Sequence, residues 1–193
     1  DVDEQARTFI HEHEQQIRPL EITVNQAWWN ANTTGEDAAF EAKVKAQNEL
    51  DAALANTERF ARLKQLHESS ISDPLVKREI DVLYLIYLEK QLPAELLQRM
   101  TAKANAIEKA FNVFRAEVGG EQLTDSDVRK TLSQSKDVER RKAVWEASKK
   151  VGAVVETDLK ELVHLRNQAA QQLGFPNYHT LQLHISEHEP KVV

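Results

Sequence analysis

Five residues near the C-terminal end, His184-Ile185-Ser186-Glu187-His188, are the side-chain types from which a metal-assisted hydrolase is built. Two imidazoles at i and i+4 share a helix face and can ligate one zinc ion. A glutamate between them can take a proton from the bound water. The surroundings count against that reading. Pro190 follows two residues later and only Lys191, Val192 and Val193 come after it, which leaves little to supply a third ligand or to orient the first two. The opposite order, His-Glu-x-x-His, occurs nowhere in the sequence. No metal is expected here.

Other strings raise the same question. His11-Glu12-His13-Glu14 is dense in ligand types, yet side chains at i and i+2 of a helix point in roughly opposite directions and cannot share an ion. A solvated face is expected instead. Asn32-Thr33-Thr34 fits the N-glycosylation pattern, but the end of a helix explains those residues equally well. Trp28 and Trp29 are adjacent, so at most one can face a core, the other facing a neighbouring helix or a channel mouth. With no cysteine at all, disulfides and thiolate ligands are excluded.

The elements that must position these residues read as helices almost throughout. Phe9, Ile10, Ile17, Leu20, Val24 and Ala27 trace an amphipathic helix from about Asp3 to Ala31, with Pro19 a candidate kink. Thr34 and Asp37 have capping-box spacing and open a second helix running to about His67 with Phe40, Val44, Leu54, Phe60 and Leu66 inward. Asp73-Pro74 caps a third, apolar nearly all round, to about Gln91. Leu92-Pro93 restarts a fourth, carrying Leu96, Leu97, Ile107, Phe111 and Phe114 until Val118-Gly119-Gly120-Glu121 breaks it. Thr124 to Asp127 caps a short helix, and Ser135 to Val138 opens another that carries Trp145. Gly152 interrupts before a helix over 154–173, which Gly174 ends in a left-handed cap. Pro176 suits the first turn of the next helix. No period-2 alternation persists, so no strand longer than a stray bridge is expected. The fold class is all-α: an irregular array of long antiparallel helices.

Four blocks in this order resemble the angiotensin-converting enzyme family of dipeptidyl carboxypeptidases, with related oligopeptidases as the second choice. They are Trp28 to Thr34; Lys77-Arg78-Glu79-Ile80 with Leu92-Pro93; Thr124 to Val128 with Asp137-Val138-Glu139 and Val144-Trp145-Glu146; and the Leu-x-x-x-Arg-Asn-x-x-Ala segment from Leu162 through Arg166-Asn167 to Gly174-Phe175. The resemblance implies the N-terminal half of a helical zinc peptidase, of bacterial type and periplasmic or secreted. In it, residues 1–67 form a lid-like helical hairpin and 72–193 a helical body, truncated before the zinc-binding helices. It implies peptide substrates and zinc for the intact enzyme only, with every ligand downstream and no catalytic residue in this chain. Glu108 and Asp125 fall where the family has acids lining the substrate channel. Lys149 falls where it has an arginine that helps hold chloride. Lysine lacks the planar fork of arginine, and the neighbouring tryptophan of that motif is Ser148 here, which puts chloride activation in question.

Composition sets the outer bounds. The chain has 193 residues, 41% hydrophobic and 29% charged, with only 5 Gly and 5 Pro, so it can bury a core as one domain or two and is neither disordered nor β-rich. Its 25 Lys and Arg are interleaved with acids to a net charge of -6; no basic stripe suits a nucleic acid. No run reaches the ~18 apolar residues of a membrane span, and no signal peptide is expected within these residues. The apolar residues of Ile107–Phe114 and Val154–Leu173 are expected to form an exposed face through which the chain self-associates. The alternative to an enzyme part is a helical protein-binding or scaffold module without activity.

Overall fold

The computed structural model describes residues 1–189 and 191. Among them are nine helices and one short hairpin, in two compact units: Asp1–Ala102 with Val163 onward, and Lys103–Leu162. Two helices, α5 (Ala94–Val113) and α8 (Val151–Gln172), supply residues to both units, so neither glycine nor proline marks the boundary.

The larger unit begins with α1 (Val2–Thr34) and α2 (Asp37–Leu54), which pack together along their lengths. Pro19 neither ends α1 nor interrupts it. Gly35 does, in the left-handed region at φ 72, with its N–H on the Ala31 carbonyl. The capping box expected at Thr34 does not form: α2 starts from Glu36 without a side-chain cap, and the Thr34 hydroxyl turns back to the Asn30 carbonyl at 2.8 Å. The helix predicted to reach His67 is two helices. It breaks at Ala55–Asn56, where the Asn56 side chain accepts from the Arg59 N–H at 2.8 Å and caps α3 (Thr57–His67). The apolar stripe runs on across the break, which is why periodicity alone misses it.

Asp73 caps α4 (Pro74–Leu88) as expected, accepting from the Leu75 and Val76 amides. The start of α1 fastens this corner: Asp3 accepts from Ser72 and Asp73, and Arg7 pairs with Asp73. Phe9, Ile17, Leu63, Ile80 and Tyr87 fill the core among α1, α3 and α4, each 0 or 1% exposed. One carboxylate is buried as well. Asp51, 3% exposed, accepts from Lys90 (3.0 Å), Gln47 (3.0 Å) and Thr101 (3.3 Å), the partners a charge needs away from water.

The Arg166-Asn167 block builds a corner between α8 and α9 (Tyr178–Ile185). Gly174 sits at φ 88, with its own N–H on the Gln171 carbonyl and the Phe175 N–H on that of Ala170, a Schellman pair. The Asn167 side chain accepts the Tyr178 N–H at 2.9 Å, and the Arg166 guanidinium lies 5.0 Å from the Tyr178 ring centroid. Pro176 is not in the first turn of α9; it precedes the cap, which is Asn177.

In the smaller unit the Gly119-Gly120 break is a hairpin. Strands β1 (Ala116–Val118) and β2 (Glu121–Leu123) pair antiparallel, Val118 opposite Glu121. Both glycines have positive φ, 60 and 83, as a two-residue type I′ turn requires. This corrects the expectation of no strand beyond a stray bridge; three-residue strands are too short to show alternation. Thr124 and Asp127 form the expected capping box of α6 (Asp125–Gln134), and Asp137 caps α7 (Val138–Lys149). Gly152 lies inside α8 and does not interrupt it. Ala116, Leu123, Val128, Val144 and Ala147 form this unit's core.

Candidate functional site

Two of the three candidate residues line one cavity. Asp125 is the first residue of α6, and Lys149 is the last of α7. Between them lies a space of about 230 Å³ whose apolar walls include Phe111, Phe114, Leu123, Val128, Leu132 and Trp145, with Arg129 and Ser148 beside the two candidates. The hairpin closes the apolar side because the period of two turns Ala116 and Leu123 inward. Phe111 and Trp145 stay 55% and 51% exposed. Glu108, half-buried on α5, is not among the lining residues.

Each charge at this cavity is tied to a neighbouring side chain. Asp125 is not a lone acid: its Oδ2 accepts from Arg129 Nε at 2.7 Å, one turn along the same helix. The Lys149 ammonium lies 5.3 Å from the Trp145 ring centroid, a cation–π contact that holds the side chain along the wall. The Ser148 hydroxyl donates to the Trp145 carbonyl at 2.7 Å, which ties it to its own helix. Two cations and one acid leave the rim with a small positive excess. An arrangement of this kind has the parts to orient a ligand; it contains no paired nucleophile and base. Arg129 was not singled out from the sequence, although its spacing of four from Asp125 is the signal for such a helix pair.

The histidines are placed elsewhere. His13 does not lie on a solvated face: its ring packs on Tyr87, and Nδ1 meets the Tyr87 hydroxyl at 3.0 Å. Burial and the nearby Arg59 charge hold its pKa below the usual value. Burial pushes the Tyr87 phenol up. His11 meets Gln15 at 2.9 Å. His67 stacks on Tyr84, centroids 4.2 Å apart, with Nδ1 2.7 Å from Asp81. Burial raises the Asp81 pKa, but hydrogen bonds from Lys77 and His67 outweigh it and leave the carboxyl below its usual range.

His184 and His188 do not share a helix face. Helix α9 ends at Ile185, and Glu187 takes a left-handed φ of 59. The His188 N–H then closes on the Leu183 carbonyl at 2.8 Å. Glu187 pairs with both terminal nitrogens of Arg78, so the carboxylate that would serve as base is committed to an ion pair. Neither Trp28 nor Trp29 faces a core; they are 48% and 63% exposed.

Against these observations stand two comparisons. The family model for angiotensin-converting enzyme, a peptidase family, matches residues 1–190. No curated protein matches the chain.

Proposed function

The chain belongs to the angiotensin-converting enzyme family of peptidases, and from that premise we propose that it is the N-terminal, non-catalytic portion of an enzyme that removes C-terminal dipeptides. The family is zinc-dependent, and the described residues do not fit a zinc ion: no three His, Asp or Glu side chains come together, and the best motif is split by the end of α9. No catalytic step is therefore assigned to them. Zinc and the water-activating glutamate belong, on this reading, to residues outside this sequence.

The observation that carries the proposal is the family match over nearly the whole chain, joined to a cavity that can bind but not cleave. Within the proposed enzyme residues 1–67 have the lid role, and Asp125 and Glu108 bias the channel toward basic peptide side chains. Lys149, turned onto Trp145, is a weak partner for chloride. Among the described residues no helix is long and apolar enough to cross a membrane; a periplasmic or secreted setting follows from the family reading. Phe111, Val113, Val154 and Leu159 are exposed, and self-association is expected through apolar residues of this kind.

The test uses the chain as it stands. Supplied with zinc, it is expected to release no dipeptide from a blocked peptide and to show no stoichiometric zinc binding by calorimetry. A protein extended through a downstream His-Glu-x-x-His and a further glutamate is expected to do both. Stoichiometric zinc binding by the chain, lost on His188→Ala, would overturn the reading.

A further inference from the structure

The C-terminal half of α1 differs in kind from the rest of the chain. Between Glu21 and Glu36 there is no charged residue, in a sequence that is 29% charged. Ile22, Asn25, Gln26, Trp29 and Asn30 recur at helical spacing and together line an open, shallow strip along one face of α1. Trp29 is 63% exposed and Ile22 50%. The carboxamides of Asn25, Gln26 and Asn30 are exposed and bond to no other described residue. From residue 22 to residue 30 the strip is about 12 Å long at 1.5 Å per residue.

From these features we propose that this strip binds a neutral oligosaccharide of two or three rings. A pyranose has an apolar face of C–H bonds that lies flat on an indole, whose negative π-face meets the partly positive hydrogens. Its hydroxyls each donate and accept. A carboxamide does the same, with two donors on nitrogen and two lone pairs on oxygen. Three unpartnered carboxamides flanking one ring therefore match a polyhydroxylated ligand, and the absence of charge matches a neutral one. A protein partner would meet a poorer surface: Ile22 is the only aliphatic side chain in the strip, too little for the apolar centre of a stable interface.

The chain's three tryptophans, Trp28, Trp29 and Trp145, make the test direct, because each gives its own indole N–H resonance. Cellotriose, maltotriose and N-acetylated chitotriose are titrated in turn against the whole chain. At least one is expected to shift the Trp29 signal saturably, with a dissociation constant on the order of 1 mM, as suits a shallow exposed platform. The Trp145 signal stays still. Trp29→Ala, which removes an exposed ring and leaves the helix content by circular dichroism unchanged, is expected to weaken binding about tenfold or more. Asn25→Ala and Gln26→Ala each weaken it about threefold. The proposal fails if none of the three sugars gives a saturable shift up to about 20 mM, roughly twenty times the expected constant. It fails equally if the shift survives Trp29→Ala. A Trp29 signal that follows protein concentration and ignores sugar would assign the strip to a protein contact and also overturn the proposal.

Discussion

Around Tyr87, in the larger unit, the core is closed on every side. Phe9, Leu63, Ile80 and Tyr87 are fully buried, and the Tyr87 hydroxyl meets His13. Around Val144, in the smaller unit, the same kind of helix packing leaves a space, and two large rings, Phe111 and Trp145, stand half in water at its side. Both units bury comparable residue types. They differ in whether the stripe of each helix finds a complete partner. A finished core yields stability, whereas an unfinished one leaves surface that can recognise something else.

Cavity-forming substitutions give the strongest test of that contrast. Ile80→Ala in the closed core is expected to cost about 2–5 kcal/mol in urea unfolding. Trp145→Ala, at the wall of the open one, is expected to cost under about 1 kcal/mol, well below the range for a buried ring. Equal losses would mean that the Trp145 wall is core after all. Gly120→Ala tests the hairpin that shapes the cavity. No atom lies within 4 Å of the added methyl group, so only the left-handed backbone at φ 83 opposes it, and about 1–2 kcal/mol is expected. Protection of the β1–β2 amides from hydrogen exchange should fall with it, and unchanged protection would show that the turn type does not matter.

Acidity should separate the units more gently. His13 is held neutral, its folded pKa lying below the ordinary histidine value of 6.5. The unfolded chain therefore takes up its proton first as pH falls through about 6.5, and the stability due to neutral His13 is lost from there down to the lowered folded value. The carboxylates held low, Asp73 and Asp81 among them, contribute above about 3.8 and lose that contribution only in stronger acid. Hence a first decline, setting in as pH falls below about 6.5, is expected in amide protection around Tyr87 and not around Val144. His13→Gln should remove it. A decline that persists in that variant would point to another group.

What was legible in the sequence was local. Asp73-Pro74, the Thr124–Asp127 box and Gly174 act on backbone groups within a few residues, so type and spacing suffice to place them. Asn56 belongs to the same class, but the apolar positions continuing from Leu54 to Phe60 masked it. The Gly119-Gly120 pair marks a stop in the sequence, and three-residue strands carry too little pattern to show it as a turn. Longer-range facts were closed to such reading. Nothing near His13 or Asp51 announces Tyr87 or Lys90, 74 and 39 residues away, and only packing turns the first pair into a core contact and buries the second. Resemblance named Asp125 and Lys149 for two separate sites; that they line one cavity, and their ties to Arg129 and Trp145, came from the structure alone.

The corner at Gly174 has a wider consequence. Arg166, Asn167, Gly174 and Phe175 are the most recognisable string in the chain, and each is occupied with joining two helices: one stacks, one caps, one reverses and one closes the last amide. None of those duties involves a reaction. A lineage could therefore lose its metal and its substrate while still carrying this signature intact, since folding would go on requiring it. Such a string reports descent. Whether a given descendant still cleaves anything has to be asked of other residues.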